Sequence, residues 1–413
     1  MDANTMYLIV LLAAIASFCS VRWIYYYILI VAKDKNLVDN PGSRKLQKLP
    51  IPNVGGIVVF FGIVCGLLIG SAVCGIFGVE KSASMLPVFA AMVMMLYVGA
   101  LDDAIGLPPW LRILIEVIAI LSLIFSSGNC IDTFHGLWGI DSFSWWFAVP
   151  LTIIAGVGII NSVNMIDGIN GLSSSLCMAV SILYGSYFMR SGDVQNAVLA
   201  FCAATSLFPF LIHNVFGSHS RMFIGDGGTM VMGLLMTWFT IRLLSDDVPM
   251  SSYYDVDVIN PIAYAIAVLC VPIFDVIRVF TMRIIRGRSP FKPDRSHIHH
   301  VFLDINASHI IITINILVIM LTVVLIWFIS TILGASSELQ LYIAVGSSMF
   351  FVWGNYFFVS YGIKHHLKFI ERLSEFNNQH IRIRPLWWKR LSARLDVPEA
   401  RLHERMERRE SEK

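Results

Sequence analysis

Long apolar runs alternate with short polar segments along most of this sequence. Each run is close to the roughly 20 residues that a helix needs to cross the hydrocarbon core of a bilayer. The pattern predicts an all-α fold, a polytopic transmembrane helical bundle of about eleven spans. The predicted spans are 6–32, 54–78, 83–101, 113–128, 145–160, 169–189, 196–212, 227–244, 259–282, 310–333 and 340–362. Because eleven is odd, the two ends of the chain are expected on opposite sides of the membrane.

The composition agrees with a membrane protein and excludes several other classes. Of the 413 residues, 56% are hydrophobic and only 14% are charged, whereas a soluble domain carries about 25% charged residues. A cytosolic enzyme, a disordered scaffold and a disulfide-stabilised secreted domain are therefore excluded. The net charge of +2 does not indicate nucleic-acid binding. The seven cysteines show no CxxC spacing and lie mostly in apolar runs, so they are interpreted as small buried hydrophobic residues.

Lysine and arginine are concentrated on one side of the predicted bundle. Of the 30 basic residues, 25 lie in the loops of one side or in the tail from 363, and two lie on the opposite side. The positive-inside rule predicts that the N-terminus is outside and the C-terminus is cytoplasmic. We divide the chain into a membrane-embedded domain, 1–362, and a cytoplasmic basic tail, 363–413. The tail is expected to be a surface-lying helix or a disordered end.

The first inner loop, residues 39–56, has proline and glycine residues that favour a shaped connection. It also carries Arg44, Lys45 and Lys48. These cations are interpreted either as topology signals alone or as ligands for an anion.

The second inner loop begins with the adjacent carboxylates Asp102 and Asp103, and the next basic residue is Arg112. Two acids at a membrane border are costly unless they are hydrated, protonated or bound to a cation. An ordinary helix boundary is the alternative to metal binding or proton acceptance.

The third inner segment carries Asn161, Asn164, Asp167 and Asn170 at a spacing of three residues. On a helix this spacing places the four side chains roughly on one face. Such a polar stripe is expensive in lipid unless it lines a cavity. The alternative is a seam of hydrogen bonds between two helices.

The fourth segment contains the sequence GDGG, in which Asp226 opens a predicted span. A carboxylate there takes a metal ion, and the free amide groups of the helix N-terminus approach phosphate oxygens. Glycine-rich turns are common, so this motif gains its weight from the acids that precede it.

The fifth segment ends in three histidines, His297, His299 and His300, directly after Arg295. Their spacing is not a zinc signature, and histidine with arginine suits a nucleotide diphosphate better. Asp275 stands three residues before Arg278 inside the preceding span, and structural and functional interpretations of this pair are equally favoured.

These loops together indicate metal-assisted phosphoryl transfer at the cytoplasmic membrane surface. A polytopic transporter is the alternative from another class. A transporter predicts inverted repeats and half-helices that meet at the bilayer midplane. The sequence shows no convincing repeat, and its polar motifs lie at the inner surface instead.

Five motifs in order carry a family resemblance: DNPGSRK with PIPNVGG, VGALDD, NSVNMIDGINGL, FIGDGG and SPFKPDRSHIHH. Over residues 1–362 the chain resembles the polyprenyl-phosphate N-acetylhexosamine-1-phosphate transferases. Within them it is most similar to the WecA type, the bacterial undecaprenyl-phosphate N-acetylglucosamine-1-phosphate transferases. The tail carries no motif of this family.

The resemblance implies that UDP-GlcNAc and undecaprenyl phosphate react to give undecaprenyl-diphospho-GlcNAc and UMP, with Mg²⁺ or Mn²⁺ as cofactor. It implies an enzyme of the bacterial inner membrane that starts O-antigen or related glycan synthesis, with its active site facing the cytoplasm. The same chemistry with UDP-GalNAc or UDP-MurNAc-pentapeptide is the alternative. The lipid bilayer is an expected partner and nucleic acid is not, and a homodimer is left open.

The resemblance also implies roles for individual residues. Catalytic roles fall to Asp102, Asp103 and Asp167, and the metal ligand is Asp226. Asp102 and Asp103 would lie near the lipid phosphate, as a proton acceptor or as organisers of the metal. The implied substrate-binding residues are Lys45, Lys48, Asn164, Asn170, Phe223, Arg295, His297, His299 and His300. Phe223 would lie near the uracil and the histidines near the diphosphate or sugar, whereas Lys45 and Lys48 match the family's basic residues only approximately.

Overall fold

The computed structural model describes residues 3–39, 50–78, 85–140, 142–245, 259–290, 295–381 and 386–397. Helices dominate these residues. The helices are α1 (Ala3–Asp34), α2 (Gly55–Ile76), α3 (Met85–Ile105), α4 (Pro109–Ser127), α5 (Trp145–Met165), α6 (Leu172–Ser191), α7 (Val194–Phe216), α8 (Gly225–Leu244), α9 (Pro261–Val268), α10 (Cys270–Ile285), α11 (Ile298–Asp304), α12 (His309–Ile332), α13 (Ser337–Ser348), α14 (Gly354–Lys364) and α15 (Lys368–Ile381). Residues 386–397 are also helical.

The number of spans confirms the predicted membrane bundle. Within the described residues, ten helices are long and apolar enough to cross a bilayer, with α13 and α14 joined into one 28-residue span. The pair α9 and α10 bends by 75° at its junction and raises the count to eleven if it is taken as one broken span. The chain is therefore a multi-pass membrane protein of all-α architecture. The predicted orientation of its two ends stays a prediction.

Helix α8 lies at the centre of the bundle. Buried side chains make up 94% of its apolar window, compared with 28% for α1 and 22% for the span that contains α13 and α14. The peripheral helices expose large apolar side chains such as Leu68 and Ile154, which is the surface that lipid requires. The first turn of α8 therefore sits in the interior of one end of the bundle.

Glycines allow α3 to approach that first turn closely. A Cβ atom on Gly99 of α3 would lie 2.4 Å from the backbone nitrogen of Gly227. Small residues let helix backbones touch in membrane proteins, where no hydrophobic effect drives helices together. This contact brings the end of α3 next to the beginning of α8.

A short β-ladder at the two ends of the first inner loop lies next to the start of α8. Strand β1 (Val38–Asp39) pairs antiparallel with β2 (Ile51–Pro52). The backbone N–H of Phe223 donates to the carbonyl of Pro52 at 2.8 Å, and the N–H of Gly55 donates to the carbonyl of Phe223 at 2.9 Å. The segment before α8 is thus held by the chain that follows the first loop.

Candidate active site

A cavity of about 760 Å³ opens at the end of the bundle where α8 begins. All five motif segments contribute described residues to its wall. The predicted site residues that line it are Asp103, Asp167, Asn170, Phe223, Asp226 and His300. The chain alternates direction through the membrane, so the ends of α3, α5 and α7 and the starts of α6 and α8 meet here.

Asp103 is fixed against the N-terminus of α8. Asn53 donates from Nδ2 to one carboxylate oxygen at 2.8 Å, and the backbone N–H of Asp226 donates to the other at 2.8 Å. Gly225 makes this contact possible, because its φ is +69° and a Cβ there would lie 2.6 Å from the Asp103 carboxylate. A helix N-terminus stabilises an anion in this position.

Asp226 faces the cavity and is held by an amide. Asn164 donates from Nδ2 to its Oδ1 at 3.0 Å and to Thr229 Oγ1 at 2.8 Å. A nitrogen of the Arg112 guanidinium lies 3.9 Å from the other carboxylate oxygen of Asp226. The side chain of Asp226 is 36% exposed, so it remains open to a ligand.

Asp102 has different partners from its neighbour. Its carboxylate accepts from the backbone N–H of Leu107 at 2.6 Å and pairs with Arg112 at 2.5 Å. The cavity wall includes Asp103 but not Asp102. Arg112 also donates to Asn164 Oδ1 at 3.3 Å, so Asp102 acts on the cavity by orienting this arginine.

The prediction that Asn161 to Asn170 form one helical stripe is wrong. Helix α5 ends at Met165, and Asp167 and Asn170 lie in the turn that leads to α6. Gly171 adopts φ +84° before α6, a conformation that glycine takes easily and that breaks helical periodicity. Asn161 faces away from this turn.

Asn161 belongs to a hydrogen-bonded seam between two helices, which was the alternative interpretation of the polar stripe. It donates from Nδ2 to Glu116 of α4 at 2.5 Å. Asn164, one turn later, reaches the cavity residue Asp226 instead. The stripe therefore divides between a helix seam and the cavity wall.

Asp167 opens onto the cavity from the turn after α5. Ser173 donates a hydrogen bond to its Oδ1 at 2.6 Å. Burial raises the pKa of Asp167 to about 6; the Ser173 hydrogen bond opposes this rise and the charge of Asp226 adds to it.

Structural and functional roles were equally favoured for Asp275 from the sequence. In the structure Asp275 is buried and anchors the histidine segment. Arg278 Nη2 donates to Asp275 at 2.6 Å, and the guanidinium lies 3.5 Å above the ring of Tyr356. The other carboxylate oxygen lies 2.9 Å from His297 Nδ1, and the N–H of Ile298 also donates to Asp275. A charge this deeply buried needs such partners.

The three histidines occupy three different environments. His297 is held by Asp275, and His299 packs behind the Asp167 turn, where a Cβ on Gly168 would lie 2.2 Å from its Nε2. Burial lowers the pKa of His299 to about 3, so its ring is neutral at physiological pH. His300 lines the cavity, and burial, followed by the charge of Arg295, lowers its pKa.

The predicted basic residues Arg295, Lys45 and Lys48 are not among the described residues that line the cavity. Arg295 is exposed beside the histidine segment and is not one of the cavity-lining residues. Lys45 and Lys48 lie outside the described residues, so their predicted contacts with an anion stay predictions.

Several cavity residues were not singled out in the sequence. They are Lys33, Asn53, His219, Arg221 and His309. Asn53 lies within the PIPNVGG motif and Arg221 precedes the FIGDGG motif by two residues, and this proximity to recognised motifs was the available signal. The others come from helix ends or loops whose neighbours in space are distant in sequence, and residue spacing carries no information about them.

The chain matches one protein family model. The model, described as glycosyl transferase family 4, matches residues 85–244, which run from the start of α3 to the end of α8. These residues contain Asp103, Asp167, Phe223 and Asp226.

Curated relatives extend the similarity over more of the chain. A probable undecaprenyl-phosphate N-acetylglucosaminyl 1-phosphate transferase of Bacillus subtilis is 28% identical over 301 residues, 73% of this chain and 79% of the relative. An undecaprenyl-phosphate alpha-N-acetylglucosaminyl 1-phosphate transferase of Yersinia pestis is 28% identical over 276 residues, 66% and 71% of the two chains. A decaprenyl-phosphate N-acetylglucosaminephosphotransferase of Mycobacterium leprae is also 28% identical, over 68% of this chain and 73% of its own. The resemblance predicted from the motifs is confirmed: from α3 to α8 the chain matches the model of glycosyl transferase family 4, and over about two thirds of its length it is similar to prenyl-phosphate N-acetylglucosamine 1-phosphate transferases.

Proposed function

We propose that this protein transfers GlcNAc-1-phosphate from UDP-GlcNAc to undecaprenyl phosphate and releases UMP. The observation that carries the proposal is the convergence of all five motif segments on one cavity at the end of a membrane bundle. The names of the relatives support prenyl-phosphate sugar-phosphate transfer as the reaction. A membrane setting suits a reaction that joins a water-soluble nucleotide sugar to a lipid phosphate.

A divalent cation fits the carboxylates of the cavity. Within the described part of the chain, no three His, Cys, Asp or Glu side chains form a ready-made metal cage. Mg²⁺ does not need one, because it is usually bound by one or two carboxylates, substrate phosphates and water. Asp226 is the proposed ligand, with Asp103 nearby, and Mn²⁺ prefers the same oxygen ligands. The bound ion would neutralise phosphate charge.

Basic groups at the cavity wall complement the acids. Lys33 and Arg221 line the cavity as cations, and His300 and His309 line it with ring nitrogens that can hydrogen-bond to phosphate. Two phosphate-bearing substrates repel each other, so positive charge and fixed positioning are the main contributions that the protein makes to their reaction. Lys45, Lys48 and Arg295 are proposed to add to this positive charge.

The proposed reaction is a displacement at phosphorus. An oxygen of undecaprenyl phosphate attacks the β-phosphorus of UDP-GlcNAc, and the bond from that phosphorus to the bridging oxygen breaks as UMP leaves. A phosphate monoester has a second pKa of about 6, so the acceptor is largely dianionic at pH 7 and needs no strong base. Both oxygens of Asp103 already accept hydrogen bonds. These bonds orient the carboxylate, which is proposed either to organise the metal or to accept a proton.

The nucleoside is proposed to bind beside Phe223. Phe223 lines the cavity and has its backbone tied to Pro52 and Gly55, so its ring is well placed to stack on uracil. Asp167 and Asn170 line the same cavity and offer hydrogen-bonding groups. His300 is proposed to contact the diphosphate or sugar, with His297 and His299 holding it from behind.

Orientation and cellular role follow from the same proposal. The cavity end is the side on which 25 of the 30 basic residues fall, so we assign it to the cytoplasm. The protein is proposed to act in the bacterial inner membrane and to start O-antigen or related glycan synthesis.

A reconstituted transfer assay tests the proposal. The purified protein in detergent is incubated with undecaprenyl phosphate, Mg²⁺ and one of three donors: UDP-GlcNAc, UDP-GalNAc or UDP-MurNAc-pentapeptide. We expect UMP release and a lipid-linked sugar with UDP-GlcNAc, and loss of both when EDTA is added or the lipid is omitted. A higher rate with another donor would reassign the substrate. No lipid product from any donor would reject the activity.

A further inference from the structure

A short loop between α7 and α8 forms part of the cavity wall. Ser218, His219, Arg221 and Phe223 of this loop all line the cavity. Two of the four side chains are basic and a third is aromatic, which are the groups that a nucleotide needs. The shape of this loop therefore decides where phosphate and base groups can bind.

The loop turns tightly at its start. A Cβ on Gly217 would lie 2.6 Å from both the carbonyl oxygen of His213 and the hydroxyl of Ser220. The N–H of Gly217 donates to the carbonyl of His213 at 2.9 Å, and the backbone groups of residues 218–220 take hydrogen-bond partners from other elements.

The carbonyl groups of the loop are held by α1. Tyr25 donates from its hydroxyl to the carbonyl of Ser220 at 2.8 Å, and Lys33 donates from Nζ to the carbonyl of His219 at 2.8 Å. Both donors belong to the membrane domain. The carbonyl groups of His219 and Ser220 are thus anchored to the bundle.

The amide groups of the loop are held by the C-terminal segment instead. One oxygen of Asp396 accepts from the backbone N–H groups of Ser218, His219 and Ser220 at 3.3, 3.2 and 2.9 Å. The hydroxyls of Ser392 and Ser218 lie 2.8 Å apart. Three consecutive amides that point at one atom form a concave anion site, and an ionised acceptor strengthens each bond.

The helix at 386–397 is docked in a defined position. The hydroxyl of Tyr26 donates to the carbonyl of Leu395 at 3.0 Å. The ring of Trp388 packs edge-on against Phe216, with 4.7 Å between the ring centroids. Polar and aromatic contacts therefore fix both the height and the rotation of this helix against the ends of α1 and α7.

We propose that the C-terminal helix 386–397 supports the nucleotide-binding wall from behind the loop 217–221 and that Asp396 is a positioning residue for this loop. Asp396 holds the loop 217–221 in the shape that presents His219 and Arg221 to a nucleoside diphosphate. The inference rests on the proposed function and extends it to the tail, which carries none of the family motifs. Pre-ordering the loop lowers the entropic cost of binding, so the effect is expected on nucleotide affinity and not on the chemical step.

The variant Asp396→Ala tests this role in the full-length protein. We expect the KM for UDP-GlcNAc and the dissociation constant for UMP to rise about tenfold, which is the loss of one charge-assisted hydrogen-bond group. The value of kcat should stay within about twofold of wild type. Amide hydrogen exchange at 218–220 should become faster, while exchange in α8 should be unchanged.

Two further variants separate positioning from a general loss of structure. Asp396→Asn keeps one oxygen acceptor, so it should raise the KM less than Asp396→Ala; it also carries the test if the alanine variant does not fold. Glu375→Gln removes an exposed carboxylate of the same tail, on α15, and should leave the KM, UMP affinity and exchange at wild-type values.

The outcomes distinguish this inference from the proposed function. Unchanged exchange at 218–220 in Asp396→Ala overturns the inference, as does faster exchange with unchanged UMP affinity. If the wild-type protein fails to use UDP-GlcNAc, the proposed function falls. Exchange and UMP affinity then decide the role of Asp396 independently of turnover.

Discussion

The two ends of the bundle use charged residues in different ways. At the end opposite the cavity, the guanidinium of Arg242 donates to Asp193 at 2.9 Å and to Asn129 at 2.8 Å. Asp193 also caps α7 by accepting from the N–H of Asn196 at 3.2 Å. The two opposite charges lie within hydrogen-bonding distance of each other, so this cluster joins α7 and α8 and needs no ligand.

At the cavity end, the acids of the cavity wall accept from neutral hydrogen-bond donors and, among the described residues, have no cation closer than 3.9 Å. The carboxylates of Asp103, Asp167 and Asp226 all line one cavity. Among the described residues, Arg112 reaches 3.9 Å from Asp226, but its closer partner is Asp102 at 2.5 Å. Like charges in a partly buried space are costly unless a cation joins them. Among the described residues, the opposite charges paired in the Asp193–Arg242 cluster therefore indicate a structural role, and the acids without a close cation in the cavity indicate a binding site.

The largest expected effect comes from neutralising one acid at each end. Asp226→Asn should lower kcat for UMP release by about 10²–10³-fold and leave the melting temperature close to wild type, because the group faces the cavity. Asp193→Asn should do the opposite, with unchanged kcat and a loss of stability of about 1 kcal/mol. UMP release and thermal unfolding in detergent measure both. Near-wild-type turnover of Asp226→Asn would reject its proposed role.

The close approach of α3 to α8 sets up the acid cluster, and its glycine can be tested. Gly99→Ala places a Cβ 2.4 Å from the backbone of Gly227, so the helices must separate at a cost of about 1–3 kcal/mol. Activity should fall as well, because Asp103 is carried away from the start of α8.

Gly158→Ala is the matched control for this substitution. Gly158 lies inside α5, and a Cβ there meets nothing within 4 Å. Alanine has the higher helix propensity, so stability should stay equal or rise slightly. If both variants lose stability equally, the close contact of α3 with α8 does not explain the effect.

The bundle and the loops of the site were predictable from sequence, because the length of an apolar run and the sign of loop charges are local properties. The division of Asn161 and Asn164 between two environments was not predictable. It depends on where α5 ends and on Glu116 of another helix. A prediction from residue spacing requires a continuous helix. Here α5 ends at Met165, and Gly171 has a positive φ before α6 begins.

Roles that depend on distant contacts were also hidden. Asp275 pairs with His297, 22 residues away, and Asp396 reaches a loop 176 to 178 residues away. Neither contact follows from periodicity or composition. The docked tail was expected as a surface helix or a disordered end, because its sequence shows charge and two tryptophans but not the partner surface.

Protonation of a buried histidine should give a smaller, pH-dependent effect. The pKa of His299 is lowered by burial from its ordinary value of 6.5 to about 3. The unfolded chain therefore binds the proton first, so the contribution of His299 to stability is complete above pH 6.5 and is lost as the pH falls. Between pH 6.5 and 5 the loss is about 2 kcal/mol.

His299→Gln removes this titration. The apparent Tm of the variant should fall less than that of wild type when the pH is lowered from 7 to 5, although the variant is less stable at pH 7. His365→Gln changes an exposed histidine and should show the wild-type pH dependence. A parallel decline for wild type and His299→Gln would mean that His299 does not stay neutral in the folded protein.

The smallest expected effect separates the adjacent acids of the second loop. Asp102 contacts Arg112 and the N–H of Leu107, whereas Asp103 faces the cavity. Asp102→Asn should therefore lower kcat by about tenfold or less, through a misplaced Arg112. If Asp102 acts only through that arginine, Asp102→Asn should cause little further loss in an Arg112→Gln background. Equal losses from Asp102→Asn in both backgrounds would give Asp102 a direct role, and the distinction between a structural and a ligand-binding acid would then fail within one motif.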